Sequence, residues 1–95
     1  MDNVKKVNIF PPIAGKYDKH YKAVEKCFDC IEKMNTQIQR IHADTNMSII
    51  EKQRKIMGCQ DRINQSKAEI ENTKRYLQIH DAWTSAMQEQ FEKTR

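Results

Sequence analysis

The chain has 95 residues, of which 32% are charged and 7% aromatic, with two glycines, two prolines and a net charge of +4. So short a chain makes one domain at most, and its core is marginal without a staple, a metal or association with another chain. The composition argues against a sheet-rich fold, and no run approaches the ~18 apolar residues of a membrane span, so membrane insertion is not expected.

Residues 1–16 read as a separate, extended segment. Val4, Val7, Ile9, Phe10 and Ile13 surround Pro11-Pro12, and Gly15 follows. The first residues lack the apolar core of a signal peptide, which makes a soluble, cytoplasmic protein the expectation. Cys27, Cys30 and Cys59 are an odd number, which fits reduced thiols better than a disulfide framework.

From Tyr17 to Arg95 there is no proline and a single glycine, Gly58, so helix is the economical reading. Tyr17, Val24, Ile31 and Ile38 recur every seventh residue, with Tyr21 and Phe28 beside them. A second column follows the same period at Ile49, Ile56, Ile63 and Ile70, continues to Leu77 and Phe91, and lapses only at Thr84. That period belongs to helices burying a seam against one another. Between the columns, residues 42–48 are rich in side chains that prefer caps and turns. Asp44 or Ser48 could start the second helix, and Ser48-Ile49-Ile50-Glu51 has capping-box spacing.

The predicted fold is all-α: an antiparallel two-helix hairpin or coiled coil, with helices over about residues 17–42 and 48–93 joined by a turn over about 43–47. Pairing positions whose numbers total 87 sets Ile38 against Ile49, Ile31 against Ile56 and Val24 against Ile63, with Phe28 over Cys59, Tyr21 over Ser66 and Asn35 facing Lys52. The small residues of the second half then leave room for aromatic rings. The alternative is one continuous coiled-coil rod of about 115 Å, at about 1.5 Å per residue.

In the hairpin the second helix outruns the first. Tyr76, Leu77, His80, Trp83, Met87 and Phe91 form a wide stripe in that overhang, and with Phe10 they are the expected partner-binding residues. The N-terminal segment is a second candidate cover for that stripe.

Other motifs carry less. Cys27-Phe28-Asp29-Cys30 is a CxxC without the second ligand pair of a structural zinc site, and it lies inside a helix rather than at a helix start, where a redox motif belongs. His42, Asp44, His80 and Asp81 could act as acids or bases, but two helices offer little concave interior in which to gather them. The bases Lys52, Arg54, Lys55, Arg62, Lys67, Lys74 and Arg75 are interleaved with Glu51, Asp61, Glu69, Glu71 and Asp81, unlike a nucleic-acid face. The expectation is therefore a non-enzymatic subunit, needing no cofactor or metal, that packs through its helices into a hetero-oligomeric complex of trafficking, cytoskeletal or chromosome-associated type. A dedicated chaperone or inhibitor of one protein target is the first alternative, and a nucleic-acid-binding coiled coil the second.

Overall fold

A computed structural model describes residues 15–94. Among them the chain forms α1 (Asp18–Ala43), α2 (Ile49–Ile79) and α3 (Ser85–Lys93). The expected extended segment lies mostly in residues 1–14, outside the described residues.

Helix α1 begins on a turn in which the Asp18 N–H donates to the Gly15 carbonyl at 3.1 Å. Asp18 in its first turn and Arg40 and His42 in its last complement the helix dipole. The chain leaves the helix at Asp44, whose backbone is extended and whose carboxylate accepts from the Asn46 N–H at 2.8 Å. This Asx turn competes with further helix. Ser48 then caps α2, its hydroxyl accepting from the Glu51 N–H at 3.1 Å. Of the two candidate starts, Ser48 is the cap and Asp44 makes the turn.

The two long helices pack against each other and run antiparallel. The Cys27 thiol donates to Glu69, the Lys52 ammonium donates to the His42 carbonyl, and the His20 ring meets the Tyr76 ring, so facing residues total 94 to 96. The longest dimension is 49 Å, which rules out the rod. The pairing differs from the expected total of 87 by about one heptad. The phase survives a shift of seven, so Val24, Ile31, Ile63 and Ile70 are still buried. The named pairs do not survive. Ile49 is 74% exposed rather than packed on Ile38, Asn35 faces water, and Lys52 turns to the end of α1. A five-residue connection centred on Asn46 joins the helices, since α1 runs one residue further and α2 starts one residue later than expected.

The continuous second helix over 48–93 is corrected more deeply. It stops at Ile79, and α3 is a separate helix. Asp81 adopts φ 58°, the Ala82 N–H donates to the Leu77 carbonyl at 2.7 Å and the Asp81 N–H to the Gln78 carbonyl at 3.0 Å. These are the two bonds of a Schellman termination, with aspartate where glycine is usual. Aspartate tolerates the left-handed region better than most side chains, which is why no glycine marks the stop. Thr84 caps α3 by accepting from the Met87 N–H at 3.1 Å. The lone polar lapse in the heptad column is thus a helix start.

Helix α3 closes the open end of the hairpin. Met87 packs with Tyr21 and Leu77, and Phe91 joins the main cluster that includes Val24, Ile63 and Ile70. The Tyr21 hydroxyl donates to the Ala82 carbonyl at 2.9 Å, tying the α2–α3 connection to α1. Trp83 meets Phe91 edge-on at 6.2 Å between centroids and donates its indole N–H to Gln88 at 2.9 Å. The Lys74 ammonium lies 4.4 Å from the centre of the Phe91 ring, so its cation shields the outer side of this contact.

Candidate docking surfaces

The expected partner stripe is mostly spent on the chain's own fold. Leu77, Met87 and Phe91 are buried and Trp83 is half-buried. The premise of an uncovered overhang is corrected, because the break at residues 80–84 folds α3 back, so that Met87 packs with Tyr21 and Leu77 and Phe91 joins the Ile70 cluster. Only Tyr76 and His80 stay exposed, and Phe10 lies outside the described residues. Tyr76 and His80 belong to a ring cluster at the open end: His20 and Tyr76 are 4.6 Å apart, Tyr76 and His80 4.5 Å, and Tyr17 and His80 5.7 Å between centroids. Rings at tilted or edge-on angles at these separations contribute to packing. The cluster therefore reads as a structural clasp of α1 to the end of α2.

The CxxC sits on α1 facing α2. Cys27 is buried and Cys30 half-buried, and the Cys27 thiol donates to the Glu69 carboxylate at 3.5 Å. Burial pushes the Cys27 thiol up to about 11, and the neighbouring Glu69 carboxylate adds to the shift. At neutral pH it is a thiol held against an acid, the opposite of the electropositive setting that activates a nucleophilic or metal-binding cysteine. Among the described residues no group of three or more His, Cys, Asp or Glu side chains is placed to hold a metal ion. Of the bases that could track a phosphate backbone, Lys52 is engaged on the His42 carbonyl and Lys74 over Phe91.

Two surfaces went unread in the sequence. The first is a groove of about 550 Å3 between α1 and α2 near the turn. Met34, Ile41, Met47 and Cys59 supply apolar walls, and Arg40, Lys55 and Arg62 supply three cations against the single acid Asp44. Gly58 also lines it, and a Cβ there would meet nothing within 4 Å, so a larger residue would begin to fill the opening. The second is the outer face of α2, where large aliphatic side chains stand in water: Ile50, Met57 at 66% exposure and Ile79 at 80%. The groove could not be found from heptad positions alone, because its lining depends on the one-heptad register shift that brings Met34 beside Cys59. The exposed aliphatics were visible as letters, but nothing in the sequence marked that face as unpartnered.

Compared with models of known protein families, with curated proteins and with solved structures, the chain shows no match. Among the described residues no helix is long and apolar enough to cross a membrane.

Proposed function

We propose that the chain is a non-enzymatic protein–protein interaction subunit that joins a larger assembly through helix packing. The α1–α2 seam acts as a short antiparallel coiled coil that presents surfaces rather than as a container for chemistry. The observation that carries this reading is the groove by the turn, with apolar walls and three of its four charged lining residues basic. Such a groove suits an amphipathic segment of another protein whose apolar side chains enter between Met34 and Cys59 and whose acids meet Arg40, Lys55 and Arg62. Methionine walls suit it further, because the unbranched thioether adapts to different apolar shapes.

The test is charge reversal. Arg40, Lys55 and Arg62 are all exposed, so R40E/K55E/R62E is expected to keep the helicity of the natural chain while losing at least tenfold in recovery of its bound protein from source-cell extract. Helicity is read by circular dichroism and recovery by quantitative affinity capture. Undiminished recovery with the triple variant would contradict the groove as the site. Recovery of nucleic acid that disappears steeply with salt would contradict the protein-partner reading itself.

A further inference from the structure

The outer face of α2 carries a palindrome. Met57, Asp61, Asn64, Ala68, Asn72, Arg75 and Ile79 are all exposed, and their spacings of 4, 3, 4, 4, 3 and 4 residues are symmetric about Ala68. At about 100° per residue the seven positions fall within an arc of about 80°, centred opposite the buried Ile63, Ile70 and Leu77. The chemistry is also symmetric about the centre. Aliphatic side chains stand at both ends, an acid mirrors a base, asparagine mirrors asparagine, and the smallest residue sits in the middle.

We infer that this face binds a second copy of the chain, with the two α2 helices antiparallel and crossing at Ala68. A twofold contact of this kind is self-complementary. Met57 of one copy meets Ile79 of the other, Asp61 meets Arg75, Asn64 meets Asn72, and each pair occurs twice. Alanine at the axis lets the helices approach to the short end of the usual 8–10 Å separation. The Asn64–Asn72 layers can exchange amide hydrogen bonds and so fix the register, at some cost in affinity.

Competing arrangements are worse in charge. A parallel pair sets Asp61 on Asp61 and Arg75 on Arg75. An antiparallel pair slid one heptad toward the turn sets Arg54 on Arg75 and leaves Asp61 facing Ala68. Only the register centred on Ala68 sets Asp61 on Arg75 at both sites while pairing Met57 with Ile79; Ile50 lies beyond this seam, nearer the start of α2. The contact lies on the outer face of α2 and uses none of the groove's lining residues, so this inference and the groove reading fail independently.

One seam about 33 Å long is at the small end of specific interfaces, so reversible self-association is expected. The full chain is studied by sedimentation equilibrium at physiological salt, from about 1 to about 200 μM. Asp61→Arg alone and Arg75→Asp alone each place like charges opposite one another and are expected to weaken self-association at least tenfold with unchanged helicity. An equimolar mixture of the two variants restores opposite charges at both sites and is expected to form a mixed dimer at least as tight as the natural one. A natural chain that stays monomeric across the range would overturn the inference. So would dimers indifferent to both reversals, or a mixture that associates no better than its components. R40E/K55E/R62E is expected to dimerise normally, which separates this contact from the groove.

Discussion

Replacing Ile70 by aspartate is expected to abolish cooperative folding. Ile70 is fully buried in the cluster that joins Val24, Ile63 and Phe91, so it ties all three helices together. Truncating such a side chain to alanine costs about 2–5 kcal/mol through lost burial and a residual cavity. An aspartate adds several kcal/mol more, because its carboxylate would be buried among aliphatic groups or have to be protonated to stay there. A domain of this size has about 4–12 kcal/mol of stability in all. The two costs together consume it. Thermal unfolding followed by circular dichroism is expected to show a sigmoidal transition for the natural chain and a featureless slope for I70D. Ile49→Asp is the matched control, three heptads earlier in the same column. Ile49 is exposed and α2 has only just begun there, so its substitution is expected to shift stability by less than about 0.5 kcal/mol. The pairing of Ile38 with Ile49 read from the sequence would make both changes severe. The contrast between the two variants therefore reads the register directly.

Phe91→Ala carries the second large effect, an expected loss of about 3–5 kcal/mol. Phe91 is the residue by which α3 reaches the main core, it receives the edge of Trp83, and the Lys74 cation lies over its ring. Nine residues of helix are too short to persist in water without packing, so undocking Phe91 should unfold α3 rather than shift it. Trp83, the only tryptophan, reports the event. In urea the F91A chain is expected to lose Trp83 fluorescence at lower denaturant than it loses helicity, while the natural chain loses both together. Coincident transitions in F91A with a stability loss below about 1 kcal/mol would show that α3 is not part of the core.

The seven-residue period was the most legible feature of the chain. It fixes which face of each helix is buried, and Val24, Ile31, Ile63 and Ile70 all lie where it puts them. It cannot fix which heptad pairs with which, because every shift by seven preserves the pattern. The register is set instead by contacts such as Cys27 on Glu69, Lys52 on the His42 carbonyl and His20 on Tyr76, none of which the period specifies. The end of α2 was hidden for a different reason. Helix stops are read from glycine and proline, and this one uses Asp81 in the left-handed region and a threonine cap at Thr84. Thr84 is a polar lapse in the column, and a polar lapse at a helical position is also what a cap looks like. The break makes Leu77, Met87 and Phe91 packing residues rather than partner anchors.

The chain folds back at residues 44–48 so that residues totalling about 95 face one another within one molecule. Lys22 and Glu71 are both exposed and nearly opposite in that register. Spin labels on cysteines at these two positions, with Cys27, Cys30 and Cys59 replaced by alanine and the labelled chain diluted in an excess of unlabelled chain, report the distance inside a single copy. Helices packed at 8–10 Å place the labels about 20 Å apart, and dilution leaves that peak in place. A distribution beyond about 60 Å, as an unbroken helix would give, or a short distance that vanishes on dilution, would contradict the hairpin.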